Sequence, residues 1–172
     1  MASLLPIIQE ILPMILPASI SVTKSSDVLP RSDLPAEPNG STSGVRVLSC
    51  DAVVGKTDKM CTTVLIVKPK SSTTIHHNGE QEAIIYAVSG TGILLSAPKD
   101  DEDEDNEEPE RHVVEKGDFA FIPAWTEHQV VNESEEGLHW VITRTGPQPV
   151  EVNLVGWGGD EAKEPPEPPQ QR

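Results

Sequence analysis

The sequence predicts an all-β domain, a sandwich or barrel, and three observations carry that expectation. Between residues 45 and 157, short runs rich in Val, Ile and Leu follow one another. The breaks between them carry Gly, Pro, Asn or Ser. No stretch in this region shows the period of about 3.6 residues that marks an amphipathic helix. Strands without intervening helices close into a sandwich or barrel.

The elements follow in order. The chain opens with MASLLPIIQEILPMILPASI, an apolar segment without a positive leading region, interrupted by Glu10 and three prolines. It is expected to pack on the domain or on a second copy. A secretory or organellar signal and a membrane attachment are the alternatives, and no membrane partner is expected, because Glu10 near the middle of a span is costly. Residues 23–44, rich in Ser and Pro, read as a linker, so residues 1–44 form an extended N-terminal arm. Nine predicted strands then follow: VRVLSCDAVV, MCTTVLIV, AIIYAVSG, GILLSA, RHVVE, DFAFIP, HQVVNES, LHWVITR and PVEVNL. The breaks KPKSS, SGTG, EKGD, NESEEG and TGPQP supply the turns. Residues 100–110 (DDEDEDNEEPE) lie between two strands and read as a long solvated loop, with a contact site for a basic partner as the alternative. Residues 158–172 end in a Pro/Glu-rich stretch without apolar residues, expected to be disordered or polyproline-like.

Charge and size exclude several function classes. The 172 residues carry 28 acids and 13 bases, a net charge of −15. Nine of the acids, and no base, sit in residues 100–110, so the predicted barrel is nearly neutral. A nucleic-acid partner is excluded, since phosphate contacts need Lys and Arg. A barrel of eight strands and eight helices is excluded by length, because it typically needs about 250 residues. Two cysteines, Cys50 and Cys61, make no disulfide framework and read as buried free thiols. The cytoplasm is the expected compartment, with secretion or an organelle as the alternative if residues 1–20 are a signal.

Two local patterns carry chemistry. The first is TTIHHNGEQEAIIYAVSGTG, residues 73–92, in which His76, His77 and Glu82 flank a Gly-containing turn. Imidazole and carboxylate suit a divalent first-row metal. The second is GDFAFIPAWTEHQVVN, residues 117–132, where Gly117 starts a strand, Pro123 ends it and His128 opens the next.

The chain here resembles the cupin superfamily. That family's second motif, G-x5-P-x-G-x2-H-x3-N, is matched by Gly117, Pro123, His128 and Asn132, with Trp125 in place of the middle Gly. The first motif, G-x5-H-x-H-x3,4-E-x6-G, is matched more loosely. Counting back from Gly90, His76 takes the first His position, Asn78 the second, and Ala83 the place of the carboxylate. In the other register His77 is the second His and Glu82 the carboxylate, with Ile75 in the first His position. The resemblance covers roughly residues 45–157. It implies a jelly roll, a homodimer and a divalent metal (Fe, Mn, Ni or Zn), held by His76, Glu82 and His128 with His77 or Asn78 as a fourth ligand. Because strand neighbours alternate, His76 and Asn78 share a face and His77 opposes them. If Glu82 points inward, Tyr86 lines the cavity with it, unless the extra residue before Gly90 is a bulge.

The resemblance implies a metal-dependent small-molecule enzyme as the leading function. Dioxygenase, decarboxylase, isomerase and lyase chemistry stay open, because fold does not choose among them. Tyr86 and Arg144 are the candidate catalytic residues. Arg144 shares a strand face with Trp140 and Ile142 and suits a substrate carboxylate bidentately, with a strand-end Arg as the alternative. Ile84, Tyr86, Phe119, Phe121, Trp125 and Trp140 are expected to wall a partly apolar cavity, in keeping with a small molecule of secondary metabolism. His112 and His139 fall in no motif and read as ordinary strand residues. The second hypothesis is a non-catalytic cupin that binds or stores a ligand, or serves a structural role, and the His missing from the first motif favours it.

Overall fold

The structure is a computed structural model that describes residues 19–28, 46–98 and 108–162. Most of the N-terminal arm and linker, the acidic loop over 99–107 and the tail from 163 lie outside the described residues. Within the described part of the arm, a helical turn forms at Ser25–Val28, and Thr23 Oγ1 donates to the Ala52 carbonyl at 2.6 Å.

Eleven strands follow: β1 (Val47–Val53), β2 (Met60–Val67), β3 (Ser71–Ser72), β4 (His76–His77), β5 (Ala83–Ser89), β6 (Gly92–Ser96), β7 (Glu110–Val114), β8 (Phe119–Ile122), β9 (His128–Asn132), β10 (Leu138–Thr145) and β11 (Val152–Asn153). Each of the nine predicted runs overlaps one of them. The short β3 and β4 were not expected, because two-residue strands carry no periodicity; the last run keeps only Val152–Asn153. One sheet has the order β1-β2-β10-β5-β8 and the other β11-β4-β9-β6-β7, with β3 also on β9. All pairings are antiparallel. The two sheets form a jelly roll, with the core between their inner faces.

Strict alternation builds that core. Inward positions on β2 are Cys61, Thr63, Leu65 and Val67, and on β10 Leu138, Trp140, Ile142 and Arg144. On β5 the inward residues are Ala83, Ile85 and Ala87, opposite Arg144, Ile142 and Trp140 of β10. Small side chains on β5 make room for the indole and the guanidinium. This register sends Glu82, Ile84, Tyr86 and Val88 to the outer face, so the inward placement of Glu82 and Tyr86 is corrected. Phe119 and Phe121 are likewise exposed, and Tyr86 stacks on Phe119 outside the barrel at 4.7 Å. Of the six expected cavity walls, Trp140 alone is buried, and it packs in the core. Cys50 and Cys61 are unpaired; Cys61 is buried and Cys50 half-buried.

Candidate functional site

His76 on β4 and His128 on β9 are direct cross-strand partners. Both are 4% exposed, and their rings lie 4.2 Å apart at an interplanar angle of 57°. Each uses Nδ1 in the same local bond, His76 to the Thr74 carbonyl at 2.9 Å and His128 to the Thr126 carbonyl at 2.8 Å. A carbonyl only accepts, so Nδ1 of each ring carries a proton. Burial, together with the neighbouring His76, pushes His128 down to about 3, so it is neutral at physiological pH.

The two imidazoles line a cavity of about 240 Å³ inside the barrel. Its walls include Leu65, Ile85, Ile122, Val130 and Ile142, and its polar lining includes Ser72, Thr73, Thr74, Arg144 and Glu151. Arg144 is 3% exposed. Its Nη1 donates to Thr63 Oγ1 at 2.9 Å and its Nε to Asn78 Oδ1 at 3.3 Å. No carboxylate of the described residues forms a salt bridge with it. Burial pushes the guanidinium below its ordinary value, and the more distant Glu151 partly offsets this. The Asn78 amide nitrogen is buried without a hydrogen-bond partner.

The structure decides between the two registers of the first motif. His76 and Asn78 are buried, whereas His77 is half-buried and faces outward, its Nδ1 accepting from the Gly79 amide at 3.0 Å. The described residues include two non-glycines with positive φ, Lys70 (53°) and Trp125 (62°). Both stand where the cupin motifs carry Gly, Lys70 six residues before His76 and Trp125 three before His128. The chain thus keeps the left-handed turns without the glycines that make them easy. The Trp125 ring lies against His77 at 5.5 Å, outside the barrel.

Of the four candidate metal ligands, His76 and His128 converge, while His77 and Glu82 face away. Tyr86 also faces away, and Arg144 points into the cavity. Asn132, the last residue of the second motif, is structural: its Nδ2 donates to the Val67, Lys68 and Glu136 carbonyls and shapes the β9–β10 turn. His112 and His139 stay outside the cavity, His112 bonded to Ser96 Oγ at 3.2 Å. Sequence reasoning missed Thr63 and Glu151. Thr63 was legible from the parity of β2, two residues before Leu65; Glu151 precedes a two-residue strand and carried no signal.

The fit to a resident metal is partial. Two buried imidazoles lie side by side, but no carboxylate is directed at them, and a guanidinium stands on the same cavity. Among the described residues, no group of three or more His, Cys, Asp or Glu is arranged to hold a metal ion. This donor set by itself does not fit one.

Residues 63–144 match the family described as Cupin domain. No curated protein matches the chain. Among solved structures, a Klebsiella pneumoniae protein with a double-stranded β-helix domain is 13% identical over 80% of this chain and 99% of its own, with a TM-score of 0.57. An oxalate decarboxylase from Lactobacillus farciminis is 16% identical over 63% of this chain, with a TM-score of 0.52; the match spans 30% of that enzyme. A recombinant oxalate oxidase in complex with glycolate is 14% identical over 66% of this chain and 58% of its own, with a TM-score of 0.53. At these identities the neighbours speak for the fold alone. No helix of the described residues is long and apolar enough to cross a membrane. The family match over residues 63–144, the jelly-roll topology and the two motif histidines on paired strands together support a cupin domain in this chain.

Proposed function

We propose that this protein is a ligand-binding cupin whose small-molecule site is the interior of the barrel. One observation carries the reading: an inner cavity of about 240 Å³ joins two buried imidazoles, each oriented by an Nδ1 bond to a backbone carbonyl, to a buried guanidinium. The volume lies below the range of about 300–1,000 Å³ for drug-sized ligands, which points to a small metabolite. His128, held neutral, presents an acceptor nitrogen to it, His76 lies beside it, and Arg144 presents donors.

A metal-dependent small-molecule enzyme is the second reading, favoured by the Nδ1 bonds, since metal-ligating His also donates its other ring nitrogen to a carbonyl or carboxylate. Metal content separates the two. Protein expressed with supplemented Fe, Mn and Zn is expected to hold less than about 0.1 metal per chain, because two imidazoles make half a ligand set. About one metal per chain, lost in His128→Ala and retained in His112→Ala, overturns the ligand-binding reading in favour of the enzyme.

We also place the expected homodimer on the outer face of β5 and β8. Ile84, Tyr86, Val88, Phe119 and Phe121 are exposed there beside the sheet edge formed by β8. Phe119→Glu is expected to convert a dimer to a monomer in light scattering coupled to gel filtration. A wild-type protein that is already monomeric at tens of micromolar rejects this surface.

A further inference from the structure

Arg144 is the least expected residue in the barrel. A buried guanidinium costs free energy unless anions or hydrogen bonds compensate it. Its neighbours across the sheet are Cys61 on β2 and Ala83 on β5, both small. Ala83 occupies the place at which the first motif carries its carboxylate. A cation therefore stands beside the position where an anion would serve a metal. Two of the five guanidinium N–H groups are committed, to Thr63 and Asn78. Among the described residues the others have no partner, and the side chain lines the cavity.

We infer that the cavity is a carboxylate site: Arg144 anchors a small monocarboxylic acid whose apolar body rests on Leu65, Ile85, Ile122, Val130 and Ile142. Thr63 and Asn78 orient the guanidinium, so its free edge is preorganised for a planar, two-oxygen anion. The aliphatic walls favour an apolar body over a second charge placed against them. Glu151 lines the same cavity, and its charge acts on Arg144. It disfavours a dianion while leaving one negative charge compensated by the guanidinium. Glu151 thereby sets selection by charge.

This inference rests on the ligand-binding reading, and the experiment separates the two. The full-length protein is titrated calorimetrically with straight-chain monocarboxylates of four to ten carbons, the matching amides, the matching dicarboxylates and inorganic phosphate. The best monocarboxylate is expected to bind at least about tenfold more tightly than its amide, and more tightly than its dicarboxylate or phosphate; a charge-assisted bond lost from a dry site is worth that much. Arg144→Met is expected to remove the preference for acid over amide, and Arg144→Lys to restore part of it. Glu151→Gln, at an exposed position, is expected to tighten monocarboxylates a few-fold and to reduce discrimination against dicarboxylates. If amides bind as well as acids, or phosphate binds best, the carboxylate assignment falls and the ligand-binding cavity stands. If neither acids nor amides bind, both fall. Should Arg144→Met fail to fold, the Lys and Gln variants still decide the matter.

Discussion

Gly90→Ala is expected to destabilise the protein by about 2–5 kcal/mol, from backbone strain of roughly 1–2 and overpacking of roughly 1–3. Gly90 has φ of +79° at the turn between β5 and β6. A Cβ there would stand 2.8 Å from the Gly137 carbonyl oxygen, 2.8 Å from Leu138 Cα and 2.9 Å from Leu138 Cβ. Two of these three atoms are backbone, at the start of β10 where Leu138 is fully buried, so neither side can yield cheaply. Gly117→Ala is the matched control. Its φ is +96°, but nothing lies within 4 Å of the new Cβ, so it carries strain without the clash. Urea midpoints of the two variants measure the difference. Equal losses would show that conformation alone, and not the approach of two turns, requires Gly90. The loss at Gly90 would be a large fraction of a typical stability of about 5–15 kcal/mol.

Stability is expected to fall as the pH drops from about 6.5 towards 3. The folded protein holds His128 near 3, against 6.5 for an ordinary histidine, chiefly because the ring is buried and secondly because His76 lies beside it. Between these values the unfolded chain binds a proton at this site and the folded chain does not. Acid therefore favours unfolding, by roughly 1.4 kcal/mol per pH unit within the window, and the full contribution is present above it. Urea midpoints at pH 7.5, 6.5, 5.5 and 4.5 give the slope. His128→Gln removes the titrating group and is expected to flatten the curve over that range, whatever its absolute stability. An unchanged slope would move the acid sensitivity to other groups.

Much of the site was legible because strand alternation and motif spacing are local properties. His76 and His128 were identified by spacing from Gly90 and Pro123, and the structure brings them together. Glu82 was misplaced for a physical reason. Its strand is apolar on both faces, with Ile84, Tyr86 and Val88 on one and Ala83, Ile85 and Ala87 on the other. Such a strand contains no internal signal of which face is buried. The larger side chains look like the core face, yet they lie outside, because Trp140 and Arg144 of β10 need small partners on β5. Parity on a strand is settled by its neighbours.

The net charge of −15 says little about the site, since nine acids sit in residues 100–110 and the cavity is lined by two imidazoles, one guanidinium and one carboxylate. By itself the sequence determined the all-β class, most strand positions, the cupin resemblance and the two histidines, because each follows from composition, period or spacing along a short stretch. The tertiary structure alone decided that Glu82 and Tyr86 face outward, that Arg144 faces inward beside Ala83, and that Thr63, Asn78 and Glu151 surround it. Those outcomes depend on pairing between strands as far apart in the chain as β2 and β10, where the bulk on one strand sets what its neighbour can bury.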